Sequence, residues 1–314
     1  MPNIVVLNQL AKRHIKMLQD VTDNITVNVA DISTAIPFMR DADILAAWGW
    51  DDIRELCLQA PNLKWVNALS AGVENIPFSD LQSRSITVTN SKGIHGIPVA
   101  EHVFSLILAF SRGLNHFIRN QQNSLWQRVP VNEIHEKSIG IIGLGSIGRK
   151  IAQTAKNLGM KVYACKSTMT DEIFVDCLFS TNQLPSLLSE ADFVVLAVPL
   201  TDETNNFFRL DHFKMMKKSA YFINISRGAV VCEPDLLEAL RQGEIQGAGL
   251  DVFAHEPLPN SSPLWQMSNV IITPHVAALS PVYLDRAVKL FADNLNRFVQ
   301  GHEMFNVIDT HKGY

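Results

Sequence analysis

Short apolar runs alternate with segments whose apolar positions recur at helical spacing along nearly the whole chain. In the first third, residues 3–8, 43–48, 64–69 and 86–90 read as strands, and 10–19 and 51–59 as helices between them. The same grammar resumes past mid-chain, with strands at 138–142, 160–165, 193–198, 221–225, 247–252 and 270–273. Strands separated by helical patterns predict parallel sheets with crossover helices. Residues 98–121 form one long helical pattern with no strand before Ser138, a natural bridge from the first α/β unit to a second. A closing helix over 281–300 is predicted to carry the chain back to the amino-terminal unit. The pattern therefore predicts an α/β protein of two doubly wound parallel-sheet domains, the second inserted into the first. The boundaries fall at 1–96 with 285–314 for one domain and 97–284 for the other.

Composition narrows the picture without redirecting it. A length of 314 residues suffices for two cores, and 47% hydrophobic with 18% charged residues describes a globular rather than a disordered chain. The net charge of −4 gives no reason to expect nucleic acid as a partner. The start, Met1-Pro2-Asn3 and a short apolar run from Ile4 to Leu7, lacks the features of a signal peptide and reads as a first strand. The apolar helical stretch 103–110 is far shorter than the roughly 20 residues of a membrane span and is interrupted by Ser105. Cys57, Cys165, Cys177 and Cys232 are scattered with no CxxC pair, which fits a reducing, cytoplasmic setting. The histidines form no HxxxH-type pair, so no metal site is expected.

The chemistry-bearing signal near the middle of the chain is Gly143-Leu144-Gly145-Ser146-Ile147-Gly148, preceded by an apolar strand pattern and followed by a helical one. In a strand–turn–helix unit the first glycine permits the tight turn and the second lets backbone approach a pyrophosphate. The third allows close helix-on-strand packing, with the phosphates at the positive helix end. A second strand follows, as the βαβ unit requires. Such strands end in Asp or Glu about 20 residues on, to bond the ribose hydroxyls. This chain has Lys166 there, with Ser167 and Thr168. A carboxylate repels an adenosine 2′-phosphate, whereas an ammonium and two hydroxyls neutralise and hydrogen-bond it. NADP(H) is therefore favoured over NAD(H).

Beyond the loop, Arg227, Glu256 and His275 each stand just past an apolar strand, where open α/β sheets place their ligand crevice. A guanidinium fork suits a substrate carboxylate bidentately, which lysine cannot match. A histidine with a carboxylate neighbour keeps its proton to higher pH, making a proton donor available near neutrality.

These residues carry a resemblance. The ordered set GLGSIG (143–148), ISRG (225–228), LDVFAHEP (250–257) and TPH (273–275) resembles the D-isomer-specific 2-hydroxyacid dehydrogenases. The likeness extends to Ser70-Ala71-Gly72-Val73, Ser91-Lys92-Gly93-Ile94-His95-Gly96 and Val99-Ala100-Glu101-His102, and so spans most of the chain. The resemblance implies a Rossmann dinucleotide-binding domain inserted into a flavodoxin-like substrate domain. It implies that Arg227 binds and polarises a 2-keto acid, that His275 exchanges the proton at C2, and that Glu256 orients His275 and favours its protonated form. It further implies that Ala71, Gly72 and Val73 receive the substrate carboxylate on backbone N–H groups. Asp251 takes the position that holds the nicotinamide carboxamide. Val198, Pro199 and Thr204 fall where the adenosine half of the cofactor passes, and Ile225 and Ser226 join the cofactor contacts. A homodimer joined through residues 100–121 is also carried over.

Lys166 departs from the common NAD-using pattern. The short stretch after the last helix disfavours a phosphoglycerate dehydrogenase with a regulatory domain, and the Glu256–His275 pair disfavours a formate dehydrogenase, which pairs its histidine with Gln. Trp48 and Trp50 flank Gly49 at a strand end and are candidates for walling the substrate pocket, with core packing as the other reading. The leading expectation is an NADPH-dependent reductase of 2-keto acids. An NAD-preferring D-lactate or glyoxylate/hydroxypyruvate reductase is the alternative. A dinucleotide-sensing corepressor-like protein is the remote one, argued against by the lack of tails or partner-recruiting segments.

Overall fold

The computed structural model describes residues 2–22, 25–73 and 75–309. The chain separates into two compact units, residues 1–94 with 280–314, and residues 95–279. The divisions thus fall at 94/95 and 279/280, where the sequence places them at 96/97 and 284/285; residues 310–314 lie outside the described residues.

In the first unit β1 (Asn3–Val6), β2 (Thr26–Val29), β3 (Ile44–Ala47), β4 (Trp65–Ala68) and β5 (Thr87–Thr89) pair in parallel in the order β2-β1-β3-β4-β5. That is the flavodoxin-like doubly wound order. Period-two alternation sends side chains to opposite faces. Val5, Leu45, Ala47 and Val66 face a core that includes Leu56 and Leu81. Ile4, Ile44 and Trp65 face the other, where the closing helix Tyr283–Val299 lays down Ala287, Val288, Phe291 and Leu295. The last helix thus returns to the amino-terminal sheet. With both faces covered, β3 and β4 are buried throughout; β3 reads as a continuous apolar run, and β4 as one broken by Asn67.

The second unit contains β6 (Ser138–Ile142), β7 (Lys161–Cys165), β8 (Cys177–Phe179), β9 (Phe193–Leu196), β10 (Tyr221–Asn224), β11 (Gly247–Leu250) and β12 (Val270–Ile272). All seven are parallel, in the order β12-β11-β10-β9-β6-β7-β8. Counted from β6, this is the Rossmann order with one further strand at the β12 edge. The order reverses between β7, β6 and β9, which puts the topological switch at the carboxyl ends of β6 and β9.

The stretch 98–121, predicted as one helical region, is two helices. Gly96–Ser111 and Leu114–Gln122 meet at a 69° bend, and Gly113 between them has φ +66°. A left-handed residue cannot continue a right-handed helix, and glycine adopts it without steric cost. The first helix packs Val99, Val103, Phe104 and Ile107 onto the sheet face formed by Ile139, Ile141 and Val195, so it belongs to the covering layer of this unit. Among the described residues no single helix is long and apolar enough to cross a membrane.

Asp192 ties the strand entries together. Its Oδ2 accepts from the Ser138 N–H at 2.9 Å, and its Oδ1 accepts from Lys217 Nζ at 3.0 Å. Burial pushes the carboxyl up, but these donors outweigh it and hold it below the usual aspartate value. A group depressed in the folded state contributes stability above its unfolded value, near pH 4, and loses it as pH falls through the folded value. Denaturant titrations of wild type and Asp192→Ala are expected to differ by about 2 kcal/mol at pH 7. The gap should narrow progressively below about pH 4, and a gap that does not change with pH would contradict this role.

Candidate active site

The glycine loop leaves β6 at Ile142 and enters the helix Ser146–Asn157. Gly143 has φ +96°, and its N–H donates to the Cys165 carbonyl at the end of β7 at 2.9 Å. A Cβ on Gly148 would stand 2.2 Å from the Gly143 carbonyl oxygen, whereas one on Gly145 would meet nothing within 4 Å. The third glycine thus closes the helix onto the strand, and the second leaves its backbone open from outside. Gly145 is the N-cap and supplies no capping side chain, so the positive end of the helix is presented beside that open backbone. Ala197 and Val198, just past β9, line the far side of the loop: a Cβ on Gly143 would come within 2.8 Å of Val198 Cγ1. The arrangement fits a dinucleotide pyrophosphate.

Other sequence candidates around the loop hold the protein together. Thr204 Oγ1 donates to the Pro199 carbonyl at 2.6 Å and accepts the Thr201 N–H at 2.7 Å, shaping the turn after β9. Ile225 lies in the core, and the Ser226 hydroxyl donates to Asn224 Oδ1 at 2.8 Å. Ser146, Ser167 and Thr168 are exposed, and Ile147 packs partly against the sheet. Lys166 is not an isolated cation: its Nζ lies 2.5 Å from Thr170 Oγ1 and 2.5 Å from Glu172 Oε1.

Neighbouring strands β10, β11 and β12 deliver Arg227, Glu256 and His275 from the same edge of the sheet. Arg227 is exposed, on extended backbone at φ −143°, with one guanidinium nitrogen 2.8 Å from the Ser226 carbonyl. Glu256 Oε1 accepts the Phe253 N–H at 3.0 Å, which pins the carboxylate, and its Oε2 lies 2.7 Å from His275 Nδ1. An ionised carboxylate only accepts, so Nδ1 carries the hydrogen and Nε2 is the ring nitrogen left to exchange a proton.

His275 is left-handed, at φ +54°, a conformation a non-glycine residue keeps only when its surroundings impose it. Asp251 imposes it. This carboxylate, 1% exposed, accepts the Thr273 hydroxyl at 2.6 Å and the Val276 and Ala277 N–H groups at 2.9 Å each. Its own carbonyl accepts the His275 N–H at 2.8 Å. His102 Nε2 sits 3.0 Å from Thr273 Oγ1, extending the network to the covering helix. A carboxylate offers about four acceptor positions; three are filled from the turn, and the one left is on Oδ2.

Sequence reasoning did not single out several positioning groups. Asn224 accepts the Ser226 N–H at 3.0 Å and donates to the Arg227 carbonyl at 3.3 Å, so it shapes the arginine turn. Its signal was a polar residue inside an otherwise apolar strand. His95, half-buried, is held below the ordinary histidine value, first by burial and then by the positive charge of Arg227.

In the first unit the carbonyls of Ala71 and Gly72 are held from behind, by Asn90 Nδ2 at 2.8 Å and Ser70 Oγ at 2.7 Å. Trp48 and Trp50 stack at 4.7 Å with their planes 8° apart, and Trp50 is 57% exposed. Core packing therefore does not account for Trp50.

A nucleotide loop at the switch point of a Rossmann sheet, with a histidine–carboxylate pair at neighbouring strand ends, defines a dinucleotide-dependent enzyme. Residues 104–277 match the family model for the D-isomer specific 2-hydroxyacid dehydrogenase, NAD binding domain. The chain is 34% identical to a glyoxylate reductase of Pyrococcus horikoshii, covering 96% of this chain and 93% of that protein. It is similar to the crystal structure of a D-isomer specific 2-hydroxyacid dehydrogenase family protein from Aeromonas salmonicida, with a TM-score of 0.87, 33% identity and coverage of 98% and 99%. A D-isomer specific 2-hydroxyacid dehydrogenase from Xanthobacter autotrophicus, solved with NADPH and MES, matches with a TM-score of 0.82, 28% identity and coverage of 100% and 99%. This chain belongs to the D-isomer specific 2-hydroxyacid dehydrogenase family. It is an oxidoreductase of that family, with a nicotinamide dinucleotide as cofactor.

Replacing Asp251 by Ala leaves buried N–H groups without acceptors and releases the His275 turn. The expected cost is about 3 kcal/mol in denaturant unfolding; a loss below about 1 kcal/mol would show that the turn holds itself.

Proposed function

We propose that this protein reduces small 2-keto acids to D-2-hydroxy acids, with NADPH favoured over NADH. The observation that carries the reading is the 2.7 Å contact between His275 Nδ1 and Glu256 Oε2, beside Arg227 at the neighbouring strand ends. The bound cofactor supplies the hydride that goes to C2. Everything else is work for the chain's own side chains. Arg227 polarises the keto oxygen and neutralises the charge that grows on it. His275 delivers a proton from Nε2 to that oxygen, while Glu256, itself pinned by Phe253, fixes the tautomer and direction of the ring. Asp251, with one acceptor position left on Oδ2, suits the nicotinamide carboxamide.

Glyoxylate and hydroxypyruvate lead the substrate set, supported by the glyoxylate reductase similarity over nearly the whole chain. Lys166 at the end of β7 supports the phosphorylated cofactor, and the similar Xanthobacter protein was solved with NADPH.

Purified protein with NADPH and a panel of 2-keto acids is expected to consume NADPH, and no turnover with either nicotinamide would end this reading. His275→Ala should lower kcat by roughly 10²- to 10⁴-fold while NADPH affinity stays close to that of wild type. In the same assay Lys166→Asp should reduce kcat/KM for NADPH by about tenfold or more without a parallel loss for NADH. A wild type that prefers NADH would overturn the cofactor assignment.

A further inference from the structure

The end of β7 holds more than the lysine that the cofactor assignment uses. Lys166 follows Cys165, whose carbonyl accepts the N–H of Gly143, so its backbone is tied directly to the nucleotide loop. Arg149 follows Gly148 in the first turn of the helix that the same loop opens. Two cations therefore converge on one place, one from each arm of the βαβ unit. Between them stands Glu172. Arg149 grips it bidentately, Nε to Oε2 at 2.9 Å and a terminal nitrogen to Oε1 at 2.8 Å, while Lys166 Nζ reaches Oε1 at 2.5 Å. Thr170 Oγ1 lies 3.5 Å from the same oxygen.

The side chains of Glu172 and Lys166 are only 9% and 11% exposed, yet Glu172 belongs to the irregular segment between β7 and β8, where Met169 and Ile173 are 52% and 92% exposed. The carboxylate is held in place by the two cations. Hydrogen bonds from Arg149 and then from Lys166 hold its carboxyl down to about 2, so it carries its full charge throughout the neutral range.

The donors arranged around Glu172 are those a phosphate monoester asks for: a guanidinium fork, an ammonium and a hydroxyl. We propose that Glu172 is an internal substitute for the 2′-phosphate of NADP(H), holding Arg149 and Lys166 in place and yielding them when the phosphate arrives, so that this carboxylate sets the margin between the two nicotinamide cofactors. The proposal rests on the NADP reading above and adds to it Arg149 as a phosphate ligand and Glu172 as its competitor. The exchange is favoured by charge: a phosphate monoester carries about −1.5 to −2 near pH 7 against −1 for the carboxylate. It is opposed by the loss of a preformed bidentate pair. Glu172 can leave by rotating its own side chain, because the groups that hydrogen-bond its carboxylate are side-chain ends.

The test uses the full chain and two fragments that differ by the group in question, adenosine 2′,5′-bisphosphate and adenosine 5′-monophosphate, with binding measured by calorimetry at low salt. Glu172→Gln removes the charge while keeping the shape, and is expected to tighten the bisphosphate about tenfold while changing the monophosphate by less than about twofold. Arg149→Gln is expected to weaken the bisphosphate by a similar factor and leave the monophosphate alone. Melting temperatures of both variants establish that each is folded, and Glu172→Ala serves if the Gln variant is not.

If Glu172→Gln instead weakens the monophosphate or NADH, the carboxylate is a ribose ligand and the proposal is overturned. If neither fragment responds, Glu172 is a surface staple and the proposal is again overturned. Failure of the cofactor reading looks different: wild type would then bind the two fragments equally and Lys166→Asp would change neither. A wild type that prefers the bisphosphate, with a Glu172→Gln variant that behaves identically, leaves the NADP reading standing and removes only Glu172.

Discussion

The histidine-bearing end of the second unit depends on one buried carboxylate. Asp251 is almost wholly removed from water, and an ion in that position persists only if the surrounding groups replace its hydration. The replacements come from the Thr273 hydroxyl and from the N–H groups of Val276 and Ala277, all on the chain leaving β12. Satisfying the charge therefore folds that segment back over the end of β11. His275 lies between the donors, so the same bonds force its left-handed backbone and turn its ring toward Glu256. The histidine–carboxylate contact at the surface is a consequence of a charge buried beneath it.

Parallel pairing makes this economical. In register, β10, β11 and β12 end together, with Asn224 paired to Leu250 and Leu250 to Ile272. Whatever follows each strand emerges at one edge without any strand being bent. Three segments far apart in sequence are thus delivered side by side by the sheet alone. Small polar groups then trim each loop: Asn224 for the arginine turn, the Phe253 N–H for Glu256, Asp251 for the histidine.

This hierarchy explains what could be read from the chain. Strands buried on both faces leave a mostly apolar trace, broken at most by a single polar residue such as Asn67 or Asn224, so β3, β4, β6, β9 and β10 were legible, as was the glycine loop with its flanking strand and helix. The edge strands β2 and β8 were not, because exposed positions such as Thr26 and Cys177 break the apolar pattern. The bend at Gly113 was missed for a related reason: the apolar spacing continues across it, and only the backbone angle reveals the break. Arg227, Glu256 and His275 were visible because each follows an apolar run. Asn224, Asn90 and the turn-building role of Asp251 were hidden, since a polar side chain bonded to a backbone several residues or several strands away carries no local signature.

Lys166 illustrates the same limit with charge. Read along the chain it is a single cation at a strand end, but in space it shares Glu172 with Arg149, giving two positive charges and one negative. The contrast with Asp251 is instructive, because the two carboxylates are satisfied by different kinds of partner. Two of the three donors to Asp251 are backbone N–H groups, which cannot withdraw without unfolding the turn, so that carboxylate is a permanent part of the structure. The donors to Glu172 are the ends of long side chains with several rotatable bonds, reached from an exposed loop. A charge held by groups that can move is one that another anion of higher charge can replace, and the second unit has a carboxylate of each kind at opposite ends of its sheet.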